Sequence, residues 1–185
     1  MKILGIDPGQ TKSGVVILDT EKQKVLYSKH LDNHEIFASL GGSLVWSKTG
    51  GIEGLGDSAW EAVAIEDIQP QGYAVGNTTF DTLRWVGRFE GRCWVSHTTV
   101  RLIGRGDEKI VLCGCKTFID PKTNKRQGIK DAQIRQAIID MFPATGGGKR
   151  PVIGTKKQPG PLYGVSGHCW SALSVAITYW KTQEE

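Results

Sequence analysis

Hydrophobic segments alternate with polar turns along the first third of the chain. The three segments are Lys2–Asp7, Lys12–Asp19 and Lys24–His30. The second and third are separated by four polar residues, Thr20 to Gln23, which have the length of a turn. This pattern predicts a meander of antiparallel strands. A fourth strand is predicted at Glu61–Ile68, where an apolar run leads up to two acidic residues.

Segments later in the chain repeat their hydrophobic residues at helical spacing. They are Asn77–Glu90, Lys130–Phe142 and His168–Lys181. Gly91 and Pro143 follow the first two segments as typical helix stops. A fifth strand is predicted at Cys93–Ser96. The glycine- and proline-rich stretch before the last helix is predicted to be a loop.

Two stretches are less decided by the pattern. A short helix is predicted at His34–Leu40, followed by a glycine-rich loop around Trp46. On the helix at 77–90, the apolar residues Phe80, Leu83 and Val86 recur every third position. Helical spacing alone does not decide whether this face belongs to the core or to a dimer interface.

The order of these elements indicates the fold class. Strands followed by alternating helices and strands are typical of an α/β fold, in which helices cover a mixed sheet. A chain of 185 residues is long enough to bury one core, so we expect a single domain spanning residues 1–185. The chain is 39% hydrophobic and 23% charged, which excludes disordered, collagenous and coiled-coil classes. It has no long apolar run, so we expect a cytoplasmic protein without a membrane span.

The four cysteines show no spacing typical of a disulfide framework, so we expect reduced thiols. Cys113 and Cys115 together with His97 are a conceivable zinc site, but the ligand spacing is narrower than usual and packing is the simpler interpretation.

Positive charge is concentrated in one part of the chain. Between Lys116 and Lys157 there are ten basic and three acidic residues, a net charge of +7 in a chain whose total is +4. The basic loop region at 116–160 therefore has the charge of a nucleic-acid interface. A solvated basic loop explains the same charge, and composition does not separate the two.

Three residues stand out as candidates for chemistry. Asp7 ends the first strand, and Glu66 lies in an otherwise hydrophobic strand, where an ionised group is costly unless it is paired or binds a metal. His168 begins the last helix. Each residue alone also has a structural interpretation, such as an ion pair with Arg84 or Arg88, or a packed imidazole.

Taken together and in order, these residues resemble a known family. The matching stretches are Gly5–Gly9 (GIDPG), Ala64–Glu66 (AIE), Lys130–Ile134 (KDAQI), and His168 ahead of Ala172–Ala176 (ALSVA). They resemble the RuvC family of Holliday junction resolvases. Three further stretches look most like its phage-encoded branch: Tyr73–Asn77, Trp85–Phe89 and Pro159–Val165.

The resemblance implies an RNase H-like fold with a mixed five-stranded sheet, and a homodimer. It also implies an endonuclease that hydrolyses phosphodiesters of four-way DNA with Mg²⁺ or Mn²⁺, two ions per active site. Asp7, Glu66 and His168 match the positions of the family's metal ligands. Hard divalent cations prefer carboxylate oxygen, which agrees with that assignment.

The resemblance also implies a DNA-binding surface. Lys130 matches a family lysine near the scissile phosphate, and the residues expected to contact phosphates are Arg135, Lys149, Arg150, Lys156 and Lys157. Tyr73 lies where relatives insert an aromatic residue into the junction, although it also fits a core tyrosine. One position departs from the family: Ser171 stands where many relatives have a second metal-binding aspartate on the last helix. Help from Asp67 or Asp131, a weaker second site, and an engineered loss of activity all remain open.

Three other functions fit parts of the sequence. The segment GIDPGQTKSG resembles the first phosphate loop of the actin and sugar-kinase superfamily, but 185 residues leave no room for that superfamily's second domain. A non-catalytic junction-binding protein would retain the fold and the basic region with an impaired metal site. A nuclease for forks or flaps would read the same DNA shape and phosphates.

Overall fold

A computed structural model describes residues 1–40, 60–69 and 76–183 of the protein. The strands are β1 Lys2–Asp7, β2 Lys12–Asp19, β3 Lys24–Asp32, β4 Ala62–Asp67, β5 Thr99–Gly104, β6 Thr117–Ile119 and β7 Arg126–Gly128. The helices are α1 Asn33–Ser39, α2 Asn77–Val95, α3 Arg105–Cys113, α4 Asp131–Met141 and α5 Cys169–Lys181. The predicted loop around Trp46 and the predicted contact residue Tyr73 lie outside the described residues.

The main sheet has five strands in the order β3-β2-β1-β4-β5. The predicted meander is confirmed, since β1 pairs antiparallel with β2, and β2 with β3. The strand β4 runs parallel to β1 on one side and to β5 on the other. The predicted mixed α/β sheet with flanking helices is therefore confirmed.

Alternating residues of the sheet feed two hydrophobic cores, one on each face. Helices α1 and α2 cover one face through residues such as Ile36 and Phe89. Helix α5 covers the other face, and α3 and α4 pack beside it. Some of the sheet residues beneath α5 are small, among them Gly5, Ala62 and Ala64. A Cβ at Gly5 would lie 2.0 Å from the carbonyl oxygen of Ala172, so only glycine permits this approach of helix and strand.

The prediction of a strand at Cys93–Ser96 is wrong, because α2 continues through Val95 and the fifth strand begins at Thr99. Cys93 follows Phe89 by four residues and packs in the same core, which favours continuing the helix. Gly91 does not end the helix, because a single glycine inside a helix costs only about 1 kcal/mol.

The basic region at 116–160 is not a simple loop. It contains the β6–β7 hairpin, helix α4, and a chain of turns with a bridge between Gly154 and Pro159. The amide of Gly146 donates to the carbonyl of Pro151 and that of Gly147 to the carbonyl of Gln158, so the turns hold one another in place. Lys149, Arg150, Lys156 and Lys157 are exposed on these turns.

The four cysteines are free thiols, two of them buried. Burial raises the pKa of the Cys93 thiol to about 12, as expected for a packed rather than a reactive residue. No helix in the described ranges combines the length and apolar character that a bilayer span requires.

Candidate metal centre and nucleic-acid interface

The candidate metal centre lies at the C-terminal ends of β1 and β4, two neighbouring strands of the main sheet. Because the two strands are parallel and Ile6 pairs with Ile65, the next residues, Asp7 and Glu66, lie side by side. Their carboxyl groups are close enough for each to shift the pKa of the other. The sequence did not determine this neighbourhood, because the two residues are far apart in the chain and only strand pairing joins them.

His168, the residue directly before α5, lies at the same strand ends. Its Nδ1 lies 3.0 Å from Oδ2 of Asp7. A Cβ at Gly14 would lie 2.7 Å from the carbonyl oxygen of His168, so the start of α5 sits tightly on β2. The exposed imidazole also stacks at a tilt on the ring of His30, with 5.1 Å between the centroids.

Burial weakens the acidity of both carboxyl groups. It raises the pKa of Asp7 to about 6, although hydrogen bonding from Glu66 and the charge of Arg105 act in the opposite direction. It raises the pKa of Glu66 to about 7, with a further contribution from the negative charge of Asp7. Two adjacent, poorly solvated carboxylates favour the binding of a cation.

This arrangement leads to a pH dependence of stability in the metal-free protein. The pKa of Glu66 in the folded state is about 7, above its ordinary value of 4.5, so its ionisation opposes folding. The favourable contribution is complete below pH 4.5 and is lost as the pH rises through 7. Glu66→Gln, which does not ionise, should therefore gain stability relative to the wild type between pH 5 and 8, on the order of 1–3 kcal/mol.

Urea denaturation at pH 5 and at pH 8, in the presence of a chelator, measures this difference in the free energy of unfolding. The matched control is Glu21→Gln, which removes an exposed carboxylate that pairs with the Met1 ammonium at the other end of the strands and should not stabilise the protein. A constant difference between Glu66→Gln and the wild type would contradict the assignment of Glu66 as a destabilised carboxylate.

The donor set fits a divalent cation in chemical type. Asp7 and Glu66 supply carboxylate oxygen and His168 supplies an imidazole nitrogen, which suits Mg²⁺ or Mn²⁺. Within the described residues, no three acidic, histidine or cysteine side chains already enclose a common point. Small rotations of Asp7 and His168, which now contact each other, are therefore needed before all three could bind one ion.

A third buried carboxylate, which the sequence did not predict, lies beside this pair. Glu108 of α3 is fully buried, and its Oε2 accepts hydrogen bonds from Ser174 and from Nη1 of Arg105, the latter at 2.8 Å. Burial raises its pKa to about 7. The missed signal is the segment Gly104 to Glu108, where a strand end is followed by acidic residues of a first helical turn.

Arg105 pairs with three acidic residues around the site. Its Nη1 lies 4.0 Å from Oε1 of Glu66, and its Nη2 contacts Oδ1 of Asp131. Burial lowers the pKa of the guanidinium, but the charges of Glu108 and Glu66 outweigh that effect and raise it. Ser171, where the family resemblance implied a second aspartate, lines a small cavity together with Arg105, Asp131 and Ser174.

Two solved structures are similar to this one over its whole length. Thermus thermophilus RuvC in complex with a Holliday junction substrate has a TM-score of 0.62 and 17% sequence identity, covering 100% of this chain and 95% of that chain. The Thermus thermophilus RuvC structure on its own has a TM-score of 0.62 and 18% identity, covering 100% and 96%. The chain has a RuvC-like fold. The RNase H-like architecture expected from the sequence is thereby confirmed.

Sequence comparison adds nothing to this likeness, since no family model and no curated protein matches the chain. The structural similarity supports the RuvC-like fold and does not extend to the phage-type branch.

A groove runs between α4, the turns at 149–153 and the start of α5, where Gly167 directly precedes His168. Arg135, Lys149 and Arg150 line it, and so do Asp131 and Ser171. The guanidinium of Arg135 lies over the ring of Trp170, 4.3 Å from its centroid. Sequence reasoning did not select Trp170, although an aromatic residue two positions after His168 was visible.

The other candidate DNA contacts lie outside this groove. Lys156 and Lys157 are exposed on the neighbouring turns and do not line it. Lys130 is the exposed residue directly before α4, next to Asp131, and its backbone amide donates to Oε1 of Gln133. The contacts of Lys130, Lys156 and Lys157 with DNA stay predictions.

Proposed function

We propose that the protein is a metal-dependent, structure-selective DNA endonuclease that cuts four-way junctions. One observation carries the proposal: His168 contacts Asp7 and directly follows Gly167, which lines a groove together with the basic residues Arg135, Lys149 and Arg150. A nuclease needs cation ligands next to a surface that attracts phosphates. The RuvC-like fold and the motifs that resemble this family support the same assignment.

Asp7, Glu66 and His168 would hold Mg²⁺ or Mn²⁺. Such an ion activates water and stabilises the leaving oxygen of a phosphodiester. The residues of the chain itself orient this chemistry. The start of α5 holds His168 against β2, and the parallel pair β1 and β4 sets the spacing of Asp7 and Glu66.

The groove supports a path for one DNA strand. Arg135, Lys149 and Arg150 would contact phosphates, and the ring of Trp170 holds the guanidinium of Arg135 in place for such a contact. Lys156 and Lys157 would extend this surface along the neighbouring turns. Lys130 and Tyr73 keep their predicted roles as contacts near the scissile phosphate and the junction centre.

A four-way junction has two-fold symmetry, so paired cuts call for a homodimer. We keep the cytoplasm as its proposed location. The face of α2 that spacing left undecided is divided in the structure: Val86 is buried, whereas Phe80 and Leu83 are 49% and 37% exposed. These two exposed residues are our candidates for the dimer interface.

The experiment incubates the purified protein with a labelled four-way junction in Mg²⁺ and, separately, in Mn²⁺, beside a linear duplex and a fork. We expect paired, symmetric nicks confined to the junction. Preferred cutting of the fork would move the assignment to a nuclease for other branched DNA. Binding to the junction without cleavage in either metal would overturn the catalytic assignment.

That last outcome corresponds to a second candidate function, a non-catalytic junction-binding protein. It is favoured by Ser171, whose neutral hydroxyl is a weak substitute for a carboxylate ligand. If binding occurs without cleavage, the Ser171→Asp variant tests whether this position alone limits activity.

Binding should depend on salt according to the number of phosphates neutralised. Removing one phosphate contact by Lys149→Ala or Arg150→Ala should reduce the slope of log K against log salt by about 1. Lys22→Ala is the matched control, since Lys22 lies in the turn between β2 and β3 at the opposite edge of the sheet and should leave the slope unchanged. Fluorescence anisotropy at several salt concentrations measures it. Equal slopes for all four proteins would remove the groove from the DNA interface.

A further inference from the structure

On the side that faces α3, the candidate metal centre already has a positive charge, the guanidinium of Arg105. Arg105 is the first residue of α3, directly after β5. Because β5 runs parallel to β4 and Glu66 pairs with Ile103, the chain leaves β5 at the same edge of the sheet as Glu66. The strand order therefore delivers the guanidinium to the carboxylates.

The guanidinium is held on three sides by acidic residues. Its Nη1 lies 2.8 Å from Oε2 of Glu108 and 4.0 Å from Oε1 of Glu66, and its Nη2 contacts Asp131. Glu108 is fully buried, and the hydroxyl of Ser174 donates to the same Oε2. Glu108 therefore acts as a positioning residue for Arg105, since a planar guanidinium with fixed donors keeps a defined direction between such partners.

The small cavity beside Arg105 is also lined by Ser171, the one position that departs from the family resemblance. Ser171 and Arg105 both line it, together with Asp131 and Ser174. On this side of the site a carboxylate ligand is missing from α5 and a positive charge is present from α3. A divalent ion placed here would meet like charge at short range and would have one ligand fewer.

We propose that Arg105 is a built-in cation that occupies the place of a second metal ion, so that each protomer binds a single divalent ion at Asp7, Glu66 and His168. The inference rests on the proposed metal centre. It replaces the expectation of two ions that came from the family resemblance.

The test counts bound Mn²⁺ per protomer by titration with electron paramagnetic resonance, without DNA. We expect one ion in the wild type and none in Asp7→Asn. Arg105→Gln, which frees the carboxylates of Glu66, Glu108 and Asp131, should bind two. Arg105→Lys keeps the charge and should bind one.

Arg101→Gln is the matched control, because Arg101 contacts Thr182 beyond the far end of α5 and should leave the count at one. Two ions in the wild type, or one in a folded Arg105→Gln protein, would overturn the inference. If Arg105→Gln does not fold, two ions in the wild type would still overturn the inference. A count of one without junction cleavage would contradict only the proposed function, whereas no bound ion at all would overturn the metal centre and this inference together.

Discussion

Asp7→Asn and Glu66→Gln should each lower the rate of junction cleavage about 10³-fold or more, because metal-ion catalysis supplies several kcal/mol and each 1.4 kcal/mol corresponds to a factor of ten. Both carboxyl groups lie at the ends of β1 and β4, where burial raises their pKa and a bound cation would stabilise their ionised forms. The substitutions keep side-chain shape and remove the negative charge. Affinity for the junction should stay nearly the same, since phosphate contacts come from the neighbouring groove.

Single-turnover cleavage and anisotropy binding, measured on the same preparations, separate the two effects. Glu21→Gln removes an exposed carboxylate at the other end of the strands and should leave both the rate and the affinity unchanged. Cleavage by either variant at a rate near that of the wild type would falsify the metal centre as assigned. A parallel loss of binding would place these carboxylates in the DNA interface instead.

Gly5→Ala should destabilise the protein by about 3 kcal/mol or more, at or above the usual range for overpacking a core. The added Cβ would lie 2.0 Å from the carbonyl oxygen of Ala172 and 3.0 Å from the Cβ of Ala176. The 2.0 Å contact is with helix backbone, which moves only if α5 shifts as a whole. Because His168 directly precedes α5, such a shift would also displace the candidate metal ligand.

Gly87→Ala and Gly91→Ala are matched controls in α2. Apart from the helix's own backbone, no atom of the described residues lies within 4 Å of the added Cβ at either position. Alanine is also the better helix former, so each substitution should stabilise by up to about 1 kcal/mol. Urea denaturation followed by circular dichroism gives all three values. A Gly5→Ala protein as stable as the wild type would show that the close approach of β1 and α5 is not required.

The glycine of GIDPG illustrates how a motif and its physical cause differ. The sequence marks Gly5 as part of a recognisable pattern, and only the packing of α5 across β1 shows that the position excludes a side chain. Asp7, two residues later, could be selected from the sequence because it ends an apolar run directly before Pro8. Its partner Glu66 stood out because a charge in an apolar strand needs a counter-charge.

The fifth strand and α3 show where local patterns fail. Gly91 is a stop signal by composition, but the contact of Cys93 with the core continues α2 past it. Because the fifth strand is Thr99–Gly104, Arg105 and Glu108 follow it at the strand ends beside Glu66. The sequence indicated neither of them as a site residue. Both residues depend on tertiary placement, because a charged residue in a helical first turn is ordinarily a surface residue.

The sequence by itself determined the antiparallel meander, the acidic strand ends, the basic region and the helix that follows His168, because each depends on spacing within a few residues. Only the tertiary structure decided which of these groups meet. The parallel pairing of β1 with β4 and of β4 with β5 brings Asp7, Glu66 and Arg105 to one edge. Such contacts join residues far apart in the chain, and no local periodicity encodes them.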